Sequence, residues 1–147
     1  SNPTADVFKI GDHNEINANT ESFVFYALRS IPGVCKVGSY IPNNTTDGPY
    51  VNLGFTPTYL LIKCAATTNP WIVFDNTRGP DNPVTKYLLP SSTAAEASSG
   101  RDIDFVSDGF KIREDDSDIN GGTSNTYIYL AMADIGGNGT LPPIYGR

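Results

Sequence analysis

The sequence predicts an all-β domain, built as an antiparallel β-sandwich or a jelly-roll-like fold from about nine short strands with long loops. Composition favours this class: eight Tyr and seven Phe accompany 14 Gly and 11 Pro. Aromatic and β-branched residues favour strands, whereas Gly and Pro mark turns. No segment keeps the 3.6-residue period of a helix for long, so we expect at most one short helical turn.

The first half of the chain alternates strand-like runs with turn signals such as GDHNE, IPGV and PNNTTDGP. The strongest run is FVFYAL, in which every residue is apolar. Runs of this length between turn signals are typical of strands. The predicted strands of this half are 7–10, 23–28, 35–41, 51–55, 59–64 and 71–74.

The second half begins with an irregular stretch, 75–101, whose AAEA portion would form one helical turn at most. Two strands, 103–106 and 110–113, are predicted to form a hairpin in which Gly109 supplies a positive φ. The last predicted strand is YIYLAM, 127–132. We expect one β domain over 1–135 and an extended tail or linker over 136–147.

Charge and hydropathy disfavour several kinds of partner. The net charge is −6, and an acidic surface repels phosphate, so no nucleic-acid partner is expected. No apolar run approaches the ~18–20 residues of a transmembrane helix, so we expect no membrane insertion. Because the first residue is Ser, we expect a processed or trimmed chain, or a piece of a longer protein. The spacing of Cys35 and Cys64 leaves a disulfide possible without implying one.

The stretch DDSDINGG at 115–122 contains Asp116, Asp118 and Asn120 in the pattern that opens a calcium-binding EF-hand loop. The twelfth position of such a loop needs a bidentate carboxylate, and here it is Tyr127. The loop is therefore not an EF-hand. A looser calcium site at the same three residues, with Asp115 as a further ligand, is one hypothesis. An acidic turn without any cofactor is the favoured one.

The stretch WIVFDNTRG at 71–79 is the richest in chemically informative residues. In a structural interpretation, Trp71 and Phe74 pack on opposite sides of a strand while Asp75 and Arg78 form an ion pair. In a binding interpretation, Trp71 is a platform for a sugar ring, with polar contacts around it. Four tyrosines in or near polar loops are equal candidates for such a platform: Tyr40, Tyr50, Tyr59 and Tyr87. Adding the 43–50 loop, the candidate glycan-binding residues are Trp71, Asp75, Arg78, Asn44, Asp47 and Tyr50.

Little in the sequence indicates an enzyme. The one histidine, His13, lies in a polar turn, and there is no G-x-S-x-G nucleophile motif. Paired carboxylates for glycoside cleavage are brought together by the fold, and the sequence singles out no pair. We therefore predict a non-enzymatic protein, with a glycan-cleaving depolymerase as an alternative.

The segments FVFYALRSIPGVCKVGSY, DGPYVNLGFTPTYLLIK, WIVFDNTRG, LLPSSTAAEAS, IDFVSDGFKIR and GGTSNTYIYLAMAD follow one another over roughly residues 23–134. Together they resemble a β domain of uncharacterised function in phage tail-fibre and other virion proteins. The resemblance implies a location in the extracellular phage particle, and it implies no catalytic residues. Cys35 and Cys64 lie where the pattern of that family does not require cysteine.

The predicted function is that of a virion structural domain, most directly a tail-fibre or spike domain that attaches to host-surface glycans. Fibres are usually symmetric, so we expect a homo-oligomer and favour a trimer, whose several copies would strengthen weak contacts by avidity. The alternative is an architectural protein that decorates a capsid or joins virion parts and has no receptor. Other virion proteins are expected partners in both cases.

Overall fold

The computed structural model describes residues 7–134. This part of the chain forms eight strands and one four-residue helix, α1. The elements are α1 Asn14–Asn17, β1 Cys35–Tyr40, β2 Tyr50–Asn52, β3 Pro57–Cys64, β4 Ile72–Asp75, β5 Tyr87–Leu88, β6 Ile103–Val106, β7 Gly109–Ile112 and β8 Tyr127–Ala133.

The strands form two antiparallel sheets, which confirms the predicted all-β class. The larger sheet has the order β1-β8-β3-β4-β5, and the smaller one has the order β2-β7-β6. Rings from the two sheets meet between them: the centroid of Phe110 in β7 lies 5.5 Å from that of Tyr129 in β8 and 6.0 Å from that of Tyr40 in β1. The arrangement is a sandwich with a single apolar core.

Side chains of the larger sheet alternate between the core and its outer face. In β3, Leu60 and Ile62 are fully buried, whereas Leu61 between them points to the outer face. The contact between β1 and β8 also restricts which residue can stand at position 38. A Cβ at Gly38 would lie 2.7 Å from the Tyr129 hydroxyl oxygen, so a larger residue there would push against the Tyr129 side chain.

Two of the nine predicted strands are wrong. Residues 7–10 and 23–28 form no strand, although both runs are apolar. Strand propensity describes how well a residue fits a half-buried pleated sheet, so it has no effect where no neighbouring strand is present. Within the described residues, neither segment pairs with a strand. Conversely, β5 lies inside the stretch predicted to be irregular, where Tyr87 also bridges Ala97. The AAEA portion is not helical, and the helical turn occurs at α1 instead.

The predicted hairpin is confirmed, but the role given to its glycine is wrong. Strands β6 and β7 pair from Ile103 opposite Ile112 to Val106 opposite Gly109, so Ser107 and Asp108 form the turn. Gly109 is the first residue of β7 and does not have a positive φ. It is required because a Cβ there would collide with the Val51 carbonyl oxygen of β2.

The remaining expectations concern the cysteines, membrane insertion and the C-terminal tail. Cys35 and Cys64 are both free thiols, so the possible disulfide does not form. No helix within residues 7–134 is long and apolar enough to span a membrane. The predicted tail, 136–147, lies outside the described residues.

Candidate functional site

The strand register divides the chain connections between two ends of the sandwich. The C-terminal ends of β1 and β3 lie beside the start of β8, at what we call the Asn120 end. The opposite end, the Asp75 end, holds the shorter connections 53–56 and 107–108 together with 76–86. The connections at the Asn120 end are 41–49, 65–71, 89–102 and 113–126.

Asn120 is a fully buried polar side chain that joins two of these connections. Its Nδ2 donates to the Thr45 carbonyl oxygen at 2.8 Å, to the Glu114 carbonyl oxygen at 3.0 Å and to Asn43 Oδ1 at 3.1 Å. Its Oδ1 accepts from the Asn43 amide at 2.9 Å. Because buried polar groups are costly to leave unpaired, these bonds fix the 43–47 loop against the 113–122 segment.

Two tyrosines hold the same segment from the core side. Tyr40 Oη donates to the Ile119 carbonyl oxygen and Tyr127 Oη donates to the Ser117 carbonyl oxygen, both at 2.6 Å. The two rings are stacked with centroids 5.2 Å apart. Burial, with a smaller contribution from the neighbouring Cys64, raises the pKa of Tyr127 to about 12, and burial also raises the pKa of Tyr40.

Arg101 occupies the place between the carboxylates that a cation would take. Its Nη2 lies 2.5 Å from Asp118 Oδ2, and its Nε lies 3.3 Å from Asp116 Oδ1. The guanidinium also contacts Tyr87, whose hydroxyl it reaches with Nη1. Burial opposes the charge, but the two carboxylates outweigh it and raise the pKa of Arg101.

This geometry does not support calcium at the three predicted residues. Asp116 and Asp118 are paired with Arg101, and the Asp116 carboxylate also accepts from the Asp118 amide at 2.8 Å. The amide of Asn120 is fully used in joining the loops. Within residues 7–134 no three His, Cys, Asp or Glu side chains are grouped for a metal ion. The pattern D-x-D-x-N-G therefore serves here as an ordered turn.

The 43–47 loop presents polar side chains to solvent. Asn44 has a φ of 55°, and its Oδ1 accepts from the Gly122 amide at 3.3 Å. Thr45 Oγ1 donates to the Asp47 carbonyl oxygen at 3.0 Å. Asp47 forms an ion pair with Lys111 at 2.7 Å, and that hydrogen bond lowers the pKa of the Asp47 carboxyl group. Exposed amides, hydroxyls and a carboxylate on an ordered loop are suitable partners for hydroxyl-rich ligands.

The structure separates the predicted glycan-binding residues into several places. Asn44 and Asp47 share the 43–47 loop at the Asn120 end. Trp71 precedes β4 at the same end, but its side chain lines a groove over the outer face of the larger sheet. Tyr50 accepts a hydrogen bond from Asn52 along β2. They therefore do not form one site.

Asp75 and Arg78 lie at the Asp75 end and match the structural interpretation. Their side chains form an ion pair, and Asp75 Oδ1 also accepts from the Arg78 amide at 2.9 Å and the Thr77 amide at 3.1 Å. Trp71 lines the groove over the outer face while Phe74 is fully buried in the core, so the two lie on opposite sides of the sheet, as that interpretation expects. The pair closes the turn after β4.

Sequence reasoning missed the roles of the residues that organise the site. Arg101 was not a candidate, Asn43 entered only as part of the 43–50 loop, and Tyr40 only as a platform for a sugar ring. Each of them fixes the 113–122 segment or the loop that contacts it. Their roles depend on contacts between residues far apart in sequence, up to 79 positions for Tyr40 and Ile119. No local spacing encodes such contacts.

The comparison with protein families matches residues 1–135 to a domain of unknown function, DUF7483. The chain belongs to the DUF7483 family. No curated protein and no solved structure shows significant similarity to it.

Proposed function

We propose that this DUF7483 domain is a non-enzymatic structural domain of a phage virion, and that its Asn120 end contacts host-surface glycans. The observation that carries the proposal is the 43–47 loop, an exposed polar loop ordered by the buried Asn120 side chain. A loop that is ordered before binding loses less conformational entropy when a flexible saccharide docks on it.

The composition of this surface suits a neutral or weakly charged saccharide. Asn44, Thr45 and Thr46 offer uncharged donors and acceptors, and the Asp47 carboxylate is balanced by Lys111. Each contact would be weak, so attachment would depend on several copies engaging the same cell surface. A tail fibre or spike provides that multiplicity.

The test measures binding of the domain, displayed in several copies on beads, to an array of bacterial surface polysaccharides. We expect Thr46→Arg to reduce the signal about tenfold or more, because a large side chain would cover the loop. The control is Asp81→Ala, an exposed substitution in the 76–86 connection at the Asp75 end, which should leave binding unchanged. Silence of the wild-type protein across the array, or equal binding by Thr46→Arg, would contradict the proposal.

An architectural role is the second candidate, and a different observation favours it. The outer face of the larger sheet and the segment before β1 both expose apolar side chains, including Tyr26, Phe25 and Met132. Such patches commonly mark contacts with other proteins. A domain that joined virion parts would use this surface and would show no glycan binding.

A further inference from the structure

We propose that the segment before β1, residues 23–28, packs on the outer face of the larger sheet of a second copy of this chain. We call this segment the arm. The proposal concerns self-association and does not depend on glycan binding. It assigns a surface and an occupant to the predicted homo-oligomer.

The outer face of the larger sheet carries an unbroken apolar row. Following the strand register, Val37 of β1 pairs with Leu130 of β8, which pairs with Leu61 of β3. Leu61 pairs in turn with Val73 of β4, and Val73 pairs with Leu88 of β5. Every one of the five strands thus contributes an aliphatic side chain to this row, on the side opposite the core.

The sequence of β8 is that of a strand covered on both faces. An antiparallel sheet with one solvated face usually alternates apolar and polar residues. Strand β8 instead reads YIYLAMA, and its outward residues Ile128, Leu130 and Met132 are all apolar. Such a face favours a covering layer of protein in the functional state.

Within residues 7–134, the arm is an apolar segment whose backbone pairs with no strand. Val24, Phe25 and Tyr26 are 83%, 67% and 88% exposed. Within the described part of the chain, residues 23–28 make no backbone–backbone hydrogen bond, and the only ring that contacts Phe25 is that of Phe8. A strand-forming sequence with free backbone groups and exposed aromatic rings is suited to pairing with another chain.

The arm and the outer face already approach each other within one chain, without filling the space between them. Tyr26 and Leu28 line an open groove of about 660 Å³ with Leu61, Trp71 and Leu130. The side chains that line this open groove are almost all apolar. The groove can therefore receive further apolar side chains, and the arm of a neighbouring copy supplies the matching chemistry.

The attachment of the arm permits such an exchange. The Ile31 and Cys35 backbones are paired, and the Ser30 hydroxyl contacts both the amide and the carbonyl of Val37. These contacts fasten the chain to the free edge of β1, and residues 23–28 have no backbone–backbone hydrogen bond to a described strand. The arm is therefore fastened at the border of the sheet, while Tyr26 and Leu28 lie at the groove of its own chain.

The arm exposes a large part of the apolar area that a stable contact needs. An aromatic side chain carries about 150–250 Å² of surface, so Phe23, Phe25 and Tyr26 together expose on the order of 400 Å². Val24 and Leu28 are 83% and 59% exposed and add to this area, and each partner in a stable complex buries about 800 Å². Burial on a second copy would remove this surface from water.

The first test is the mass of the full chain by analytical ultracentrifugation at micromolar concentration. We expect an oligomer for the wild type and a monomer for the double variant Val24→Asp/Tyr26→Asp, with the dissociation constant raised about tenfold or more. Both side chains are more than 80% exposed, so the variant should keep the wild-type fold, which circular dichroism checks. The matched control Ile41→Asp, at a 60% exposed position at the Asn120 end, should stay oligomeric.

A cross-linking experiment tests whether the arm reaches another chain. Singly substituted Tyr26→Cys and Ile128→Cys chains are mixed and oxidised, with the wild type as control for the native cysteines. We expect a disulfide-linked dimer that forms in the mixture and not in the wild type. A wild-type monomer, an oligomer that survives the double variant, dissociation of the Ile41→Asp control or the absence of a mixed disulfide would each overturn the proposal. A monomer that instead bound an apolar dye in the groove would assign that space to a small ligand and also overturn it.

Discussion

At the residue scale, the side chain of Asn120 determines whether the proposed binding loop is ordered. We expect Asn120→Ala to lower the free energy of unfolding by about 1–3 kcal/mol, because the Thr45 and Glu114 carbonyl groups lose their donor. Urea unfolding measures this loss. The control Thr46→Ala, at an exposed position in the same loop, should change stability by less than about 0.5 kcal/mol. Equal effects of the two substitutions would show that Asn120 does not organise the loop.

The ion pairs of Arg101 predict that calcium does not stabilise the protein. Because its guanidinium already pairs with Asp116 and Asp118, neither added calcium nor a chelator should shift the melting temperature. Asp118→Asn should lower the free energy of unfolding by about 1.5–3 kcal/mol, because it weakens a charge-assisted hydrogen bond. Differential scanning fluorimetry measures both effects. A rise in melting temperature with calcium that the chelator reverses would mean that the carboxylates exchange Arg101 for a metal ion.

Tyr127 makes stability depend on pH in the alkaline range. Its pKa is about 12 in the folded chain, against 10.0 without the fold, so the unfolded chain releases the phenol proton first. The contribution is complete below pH 10.0 and is lost as the pH rises toward 12, so the free energy of unfolding should fall over that range. Urea unfolding at a series of alkaline pH values measures the slope. The free energy of unfolding of Tyr127→Phe should fall less steeply with pH than that of the wild type. It should still fall, because burial also raises the pKa of Tyr40. A slope that Tyr127→Phe leaves unchanged would exclude Tyr127 as its source.

At the element scale, the pairing of β2 with β7 depends on the missing side chain of Gly109. Gly109→Ala would place a methyl group against the Val51 carbonyl oxygen, so we expect a loss of about 1–3 kcal/mol in stability from overpacking. The control Gly11→Ala adds the same group where its nearest neighbour is a side-chain carbon 3.9 Å away. Chemical denaturation compares the two. Similar stabilities would indicate that β2 shifts to accommodate the methyl group.

The elements also show which parts of the fold the sequence could predict. Strands β3, β4, β6 and β8 follow from β-branched and aromatic runs between turn signals, because the same local pattern that favours a strand is the pattern buried in the core. Segment 23–28 has a stronger run than most of them and forms no strand. Pairing depends on a neighbouring strand, which a local pattern does not specify.

The candidate site was less predictable than the strands for a related reason. The polar 43–50 loop was identified from its composition, and its residues Asn44 and Asp47 do lie on the proposed surface. The acidic pattern at 115–122 predicted a turn correctly, but its ion partner Arg101 is separated from it in sequence. Trp71 and the Asp75–Arg78 pair were grouped because they are close in sequence, whereas a strand places them at opposite ends of the sandwich.

For the whole molecule, we propose different contacts for the Asn120 end and for the outer face of the larger sheet. The Asn120 end is polar and ordered by buried hydrogen bonds, which suits contact with a hydrated ligand. A row of aliphatic side chains crosses the five strands of the outer face, which suits contact with protein. The two proposals use different residues: attachment would use the 43–47 loop, and assembly would use the arm and the aliphatic row of the outer face.

This arrangement predicts that stability depends on the concentration of the chain. If copies bind one another only when folded, mass action should raise the melting temperature as protein concentration increases. The double variant Val24→Asp/Tyr26→Asp should melt at one temperature at every concentration, because its arm no longer covers a neighbour. A hundredfold range of protein concentration corresponds to about 2.7 kcal/mol of stabilisation by mass action. Differential scanning calorimetry over that range would resolve the difference between the wild type and the variant. A wild-type melting temperature that does not change over that range would mean that the arm contributes nothing to the folded state through a second copy.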